Sequence, residues 1–577
     1  MTSRVVQTSI ALLAIGLVVA TGAGCLGLAM DAGLGPVNPC SSDRDCAEHG
    51  GVCDLDLGAC VAGETTAESI LLYVSEPEGG GSSEREFDIA DVDEDGPVRF
   101  AIADTVVVRG LVADLRDSAV PLIARVTFRR LTEYEELSPD PVSTESRDRT
   151  DATEPGDTYN YEVRLVPGRY NVEVEPTLNS SFQVPDQLFY PLRTEIDVTS
   201  RDTPQVVDFE YGLDTIIVTS VVIGPEGSPI GGVRIYAYDS ATERRISNVA
   251  MTGCMDEVTC GRFSIALPPD TGEFRLRLRG SDSQPLLPTM DHSQHFSARL
   301  DTNGDGALDA DEIGEIAFPA LDPPVLLDTV VEGQDRAGVV GPLAGATLSF
   351  QSTSTPSYVF EATATTDPDG RIVAESGLGG GDGFGIWLRP ATYSVAITPP
   401  LEGEHAAGVV TLNVVEPHDG DGPADDTLLV GCRVLVEGTV VSPDGRPVPQ
   451  ASIEATSSEG RSFVTSTDEF GAYTLLVDPG EYGVIAAPPD QALLAWTWVQ
   501  TQQFYADATL VLVVDWGTPV DGVVVRDDDE APVGSALVEA YLIREGAADE
   551  SQLVPFGRLR TGEDGGFSLL VPQEPPE

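Results

Sequence analysis

The stretch Tyr473–Ala486, YTLLVDPGEYGVIA, places its apolar residues two apart: Tyr473, Leu475 and Val477 before the Pro-Gly turn, Tyr482, Val484 and Ala486 after it. A period of two buries one face of a pleated ribbon and leaves the other wet, so the stretch reads as a β-hairpin. The phrase recurs as YEVRLVPGRYNVEV from Tyr161, FSIALPPDTGEFRLRL from Phe263 and IWLRPATYSVAI from Ile386. A repeat of roughly 100 residues is too long for a solenoid rung and suits an independent sandwich domain. The expected architecture is therefore all-β, a tandem elongated array of Ig-like β-sandwich modules.

Similar short phrases open the modules: DTVVV from Asp104, DTIIV from Asp214, DTVVE from Asp328 and DTLLV from Asp426. These mark a first module over 64–200 that includes N-terminal strands, a second over 201–285, a third over 321–420 and a fourth over 421–514. A fifth, over 515–577, is expected to be incomplete, because the sequence ends at LLVPQEPPE where the Pro-Gly-x-Tyr strand should follow.

In the fourth copy the residues resemble a known family. Gly438, Asp444, Gly445, Pro447 and Val448, then Thr467, Asp468, Gly471 and Tyr473, then Pro479, Gly480 and Tyr482 follow the pattern of the carboxypeptidase regulatory-like domain. The second copy (GPEGSPIGGV from Gly224) and the fifth (GEDGGFSLLV from Gly562) are similar to it in part. The resemblance implies a transthyretin-like seven-stranded sandwich that accompanies enzymes, receptors and surface proteins without catalysing anything itself, so the fold assigns no activity. Gly445 and Gly480 are expected to supply positive φ in turns, and Tyr482 to pack between the sheets.

The chain carries 94 acidic and 33 basic residues over its length of 577, a net charge of −61. Such a surface repels nucleic acid and anionic lipid and favours cations. No lysine occurs, so every basic side chain is arginine. Schiff-base catalysis, Walker-type phosphate binding and lysine isopeptide staples all need an ε-amine and are excluded.

Arg4 precedes an apolar run, IALLAIGLVVA, that leads to Gly22-Ala23-Gly24-Cys25. This order reads as a signal peptide over 1–24, and its end resembles a bacterial lipobox, which implies a lipid on Cys25 and a membrane partner through that anchor. An uncleaved membrane anchor and simple secretion are the other two readings, and all three place the body outside the cytoplasm. By resemblance to Gram-negative lipoproteins, Leu26 after the Cys, where inner-membrane retention would use Asp, implies the outer membrane or cell surface. In an exported chain the Cys-rich segment 25–63, with Cys40, Cys46, Cys53 and Cys60, reads as a two-disulfide knot whose pairing is open among three connectivities. Cys254 and Cys260 are expected to close a short loop, and Cys432 to remain single and buried, with intermolecular pairing as the alternative.

One chemical motif stands out. DTNGDGALDADE from Asp301 places oxygen-bearing residues at its first, third, fifth, ninth and twelfth positions, glycine at the sixth and an apolar residue at the eighth. It resembles the calcium loop of an EF-hand, which implies Asp301, Asn303, Asp305 and Asp309 as side-chain or water-mediated ligands of Ca2+, Ala307 through its carbonyl and Glu312 as bidentate cap. Pro319 stops an exit helix early, so the loop is expected to be a calcium-rigidified, EF-hand-like linker over 286–320 rather than a sensor. No catalytic residue emerges: His49, His292, His295, His405 and His418 form no metalloprotease motif and accompany no nucleophile signature, and the pair His292 and His295 reads as solvated. The leading function is a non-enzymatic surface stalk in adhesion or envelope structure. Alternatives are a carbohydrate- or peptide-binding surface protein, with Trp496 and Trp498 as contacts, and an accessory region of an enzyme whose catalytic domain lies elsewhere.

Overall fold

The computed structural model of the chain describes residues 51–572 apart from 55–58, 63–68, 77–80, 89–96, 115–119, 133–136, 138–139, 148–157, 178–187, 200–203, 212–214, 255–258, 298–300, 302–306, 355–357, 375–377, 381–382, 416–427, 459, 490–492 and 546–550. The fold is all-β, and among the described residues its one α-helix is the single turn Ala310–Ile313. The fourth sandwich shows the plan. Its first strand, Val434–Val441, lies between the fourth, Ala472–Val477, and the seventh, Ala508–Val513. Facing them, the second, Ser452–Ser457, pairs with the third, Ser462–Ser466, and with the fifth, Gly480–Ala487, which carries the sixth, Thr497–Phe504, on its other side. The first and seventh strands run parallel; the other pairs are antiparallel. Tyr473, Leu475, Val477, Tyr482, Val484 and Ala486 are all buried in the core between the two sheets, as the alternation requires.

Motif residues work as fasteners. In the fourth sandwich the buried Thr467 hydroxyl accepts from Ala451 N at 2.8 Å and donates to Val448 O at 2.7 Å. Thr366 makes the same two bonds with Ala346 and Leu343, Thr561 with Ala536 and Val533, Thr252 with Val233 and Ile230, and Ser146 with Ala124 and Leu122. A second fastener is the tyrosine after the hairpin turn: Tyr170, Tyr393 and Tyr482 each donate to the carbonyl four residues back, at 2.7, 2.8 and 2.8 Å. Tyr473 donates to Leu510 O on the seventh strand at 2.9 Å, and burial pushes its phenol up to about 12, so it remains a donor at any physiological pH. Gly445 takes φ 78 in its turn, whereas Gly480 opens the fifth strand without a positive φ, the bend falling one residue earlier at Pro479.

Sandwiches one and two repeat this plan from first strands Val106–Gly110 and Ile216–Ile223; in the third the first strand is split, Val325–Leu327 pairing with the fourth strand, Ile386–Leu388, and Val331–Gln334 with the seventh. Several expected boundaries move, each for the same reason: the seventh strand lies beside the first of its own sandwich but immediately precedes the next in sequence. Gln205–Val206 and Phe209–Tyr211 close the first sandwich, not the second. Leu428–Val430, in the phrase DTLLV, closes the third rather than opening the fourth. The segment 286–320 is not a linker: Thr289–Asp291 and Phe296–Ser297 pair with the fifth strand of the second sandwich, and Ala307–Leu308 and Ile316–Ala317 run parallel to its first strand.

The largest departure concerns the two ends of the chain. Residues 517–572 supply only four strands, Gly517–Arg526, Leu537–Glu545, Ser551–Arg560 and Gly566–Pro572. The missing three come from the N-terminal side. Ser69–Ser75 pairs with Leu537–Glu545, Ser82–Asp88 pairs with Ser69–Ser75, and Val98–Ile102 runs parallel to Gly517–Arg526. The fifth sandwich is therefore complete, the N-terminal strands do not belong to the first, and the array closes on itself instead of running out in a line. One core holds Ile70, Leu72, Val74, Val98, Phe100 and Ile102 together with Val520, Val538, Phe556, Phe567 and Leu569. Close approach is allowed by Gly522, where an added Cβ would stand 2.7 Å from Val98 O and 2.3 Å from the Phe567 ring.

Candidate functional site

The acidic motif begins at Asp301 and runs through the first half of the split seventh strand of the second sandwich, Ala307–Leu308, into the turn that divides it from Ile316–Ala317. Ala307–Leu308 lies in the sheet opposite Ile217 and Val218, which drives Leu308, the apolar eighth position of the motif, into the core with no exposed surface. The chain then turns through Ala310–Ile313. Asp309 caps this turn, accepting from Asp311 N at 2.8 Å, while the Glu312 carboxylate accepts from Asp309 N at 3.3 Å, a reciprocal capping box. Gly314 ends it with φ 76, its carbonyl accepts from Ser220 Oγ at 2.6 Å, and Ile313 and Ile316 return to the core.

The described half of the loop thus brings Ala307, Asp309 and Glu312 into one short reversal anchored on both sides by buried apolar residues. Asn303 and Asp305 lie outside the described residues, and among those described no group of three or more His, Cys, Asp or Glu side chains gathers. The donor chemistry is all hard oxygen, which suits Ca2+ and gives no soft ligand for a transition metal. Among the described residues this single helical turn inside a strand has no second helix to open against, so the arrangement differs from a helix-loop-helix sensor.

Other candidate residues are structural. His292 stacks on Phe296 with ring centroids 5.4 Å apart, its Nδ1 accepts from Gln294 N at 3.3 Å, and burial lowers its pKa. Trp496 and Trp498 pack against the core of the fifth sandwich, so they seal the junction with the fourth. A polar cleft of about 300 Å³ between the first two sandwiches is lined by Arg125, Glu145, Glu175 and Arg245, and its charges face one another as ion pairs, Arg245 with Glu175 and Arg125 with Glu145.

Arginine dominates the junctions between sandwiches. Arg336 donates to both carboxylate oxygens of Asp507, at 3.1 and 2.8 Å, and joins the third sandwich to the fourth. Beside it the 1%-exposed Arg433 donates to Asp478 at 3.1 Å and to the carbonyls of Gly403, Pro400 and Leu401, and its guanidinium lies 5.0 Å from the Phe463 ring centre. Between the second and third the sheets themselves join, Thr289 and Met290 pairing with Val359 and Tyr358. Spacing within a strand gave no hint of these contacts; a charged residue inside an apolar run, as in GCRVLV at Gly431, was the available signal.

Cys254 and Cys260 form a disulfide. Cys432, expected to stay single, is disulfide-bonded and 3% exposed. Cys53 and Cys60 occupy partnered positions of the hairpin Gly51–Asp54 and Ala59–Ala62; Cys25, Cys40 and Cys46 lie outside the described residues.

The carboxypeptidase regulatory-like domain family matches residues 436–503, within the fourth sandwich. No curated protein matches the chain. Among solved structures, a streptococcal ancillary pilin is similar at 13% identity with a TM-score of 0.23, over 57% of this chain and 99% of that one. The major pilin BcpA of Bacillus cereus matches at 9% identity and a TM-score of 0.15, over 52% of this chain and 99% of its own. The shaft pilin SpaA of Lactobacillus rhamnosus GG matches at 12% and 0.17, over 34% of this chain and 99% of its own. Scores this low carry no argument about what the chain does.

Proposed function

We propose that this chain is a non-enzymatic, exported surface protein, tethered to the outer membrane through a lipid on Cys25, whose sandwiches serve adhesion or envelope structure. The observation that carries the reading is how the polar groups are used: in all five sandwiches a buried hydroxyl at the end of the third strand fastens the entry of the second, and arginine ion pairs join the first sandwich to the second and the third to the fourth. Such investment builds a rigid body. The packing of Trp496 and Trp498 into a junction argues against them as a ligand platform. The sequence order of Arg4, apolar run and Cys25 supports export and anchoring.

Within this reading the Asp301 loop takes Ca2+, held by Asp301, Asn303, Asp305, the Ala307 carbonyl, Asp309 and Glu312. The five carboxylates within these twelve residues, four of them assigned as ligands, repel one another, and a cation relieves that repulsion. Because the loop splits the seventh strand of the second sandwich, calcium would stabilise that sandwich directly rather than stiffen a linker. Calorimetry with Ca2+ and limited proteolysis of the intact chain test this. Uptake in the micromolar to millimolar range with protection of the second sandwich is expected, weakened in Glu312→Gln; identical cleavage with calcium and with chelator refutes it. Labelled fatty acid should enter the wild-type chain and not Cys25→Ser; its failure to enter either removes the anchor.

A further inference from the structure

We propose that the fifth sandwich is an exchange site at which a second copy of this chain inserts its N-terminal strands, joining copies head to tail. The inference rests on strand pairing alone and is independent of export or calcium. Residues 517–572 form the first four strands of a sandwich and leave three strands of it to be supplied, across two edges. Without a donor, Leu537–Glu545 has a bare edge where Ser69–Ser75 pairs, Gly517–Arg526 has a bare edge where Val98–Ile102 pairs, and the core faces of Val538, Phe556 and Phe567 lose Leu72, Val74 and Phe100. A half-sandwich in this state is a template for an incoming strand.

Donor and acceptor are separated in the chain by the other four sandwiches. The donor is fixed to the first sandwich by the three residues Ala103, Asp104 and Thr105, and the acceptor to the fourth through Val514–Trp516. Every contact that holds the donor is therefore the same whether its acceptor belongs to its own chain or to another. These include the register from Ser69↔Ile543 to Ser75↔Leu537, the Arg526 contacts with Glu76 at 2.5 Å and Asp104 at 2.9 Å, and the Arg99–Glu530 pair at 3.0 Å. Exchange costs no interaction within the sandwich. It removes only the requirement that five junctions close simultaneously, while the own-chain acceptor keeps the modest concentration advantage of a long connection. Closure is thus favoured at low protein concentration and exchange at high. The contact is heterologous, donor face to acceptor face, so it propagates as rings or open filaments rather than stopping at a twofold dimer.

The first test uses a full-length chain with Ser75→Cys and Leu537→Cys, positions that face each other in the register. Refolded at increasing protein concentration, oxidised and run without reductant, it should shift from a monomer band to a ladder that the single-cysteine variants do not give. A monomer band at every concentration overturns the proposal. The second uses two full-length variants, one unable to donate (Leu72→Asp with Phe100→Asp) and one unable to accept (Gly522→Val with Val538→Asp). Each alone should remain monomeric by light scattering, and the mixture should give a one-to-one dimer that grows no further. No dimer on mixing, with the first sandwich of the donor variant still protected from exchange, overturns it equally.

Discussion

Phe100→Ala discriminates most sharply between the two places the N-terminal strands could belong. Phe100 lies on Val98–Ile102, is 1% exposed and has its ring centroid 6.1 Å from that of Phe567. Truncating a fully buried phenylalanine removes its transfer free energy and leaves a cavity, together about 3–5 kcal/mol. The fifth sandwich has little with which to absorb this, since Gly522 already brings Val98 and Phe567 to contact distance and the remaining core is mostly valine and leucine. Amide hydrogen exchange followed by mass spectrometry reads the consequence locally. At a factor of ten per 1.4 kcal/mol, protection across Gly517–Arg526 and Leu537–Glu545 should fall by about two to three and a half orders of magnitude, although those strands lie more than four hundred residues away in sequence. The first sandwich, which starts four residues after Ile102, should keep its protection. Loss confined to residues 106–211, with 517–572 unaffected, would refute the shared sandwich. The result is the same whether the donor strands come from the same chain or from another, so the experiment tests the sandwich and not the exchange.

Thr467→Val keeps shape but strands the Ala451 N–H and the Val448 carbonyl in the core, at about 1–3 kcal/mol for each buried group left unpaired. Amide protection in Ser452–Ser457 should drop accordingly, and Thr467→Ser should largely restore it; equal loss in both variants would show that packing, not the hydroxyl, is responsible. Asp507, held below its ordinary carboxylate value first by its hydrogen bonds from Arg336, favours the folded junction only while ionised. Its contribution is full above the unfolded carboxylate value, about 4, and declines as pH falls through the lower folded value. Acid titration of thermal stability should therefore be shallower in Asp507→Asn than in wild type below about pH 4, and superimposable slopes would exclude this lock.

Much of each sandwich is legible along the chain. Alternation names the buried face of each hairpin, and the Thr-Asp and Pro-Gly-x-Tyr positions mark hydroxyls with fixed local duties: Thr467 reaches across the second-strand entry, and Tyr482 reaches back four residues. These are decided by short-range geometry, because a residue's own period and turn chemistry set which way its side chain points. The acidic motif is likewise readable as an oxygen-ligand set from its spacing. What the period of two does not encode is which edge a strand will pair with, since the same alternation satisfies any partner of matching face. The alternation of 205–211, Leu428–Val430 and the split strand around Ala310–Ile313 fits the next module or a linker equally well, although each closes its own sandwich by parallel pairing, Gln205–Val206 with Val106–Gly110, Phe209–Tyr211 with Val112–Asp114, and the other two with their first strands. The same indeterminacy, at full chain length, hid the closure of the fifth sandwich: Ser69–Ser75 and Val98–Ile102 announce buried strands, but only the bare edges of Leu537–Glu545 and Gly517–Arg526, brought alongside by the tertiary structure, decide where they belong.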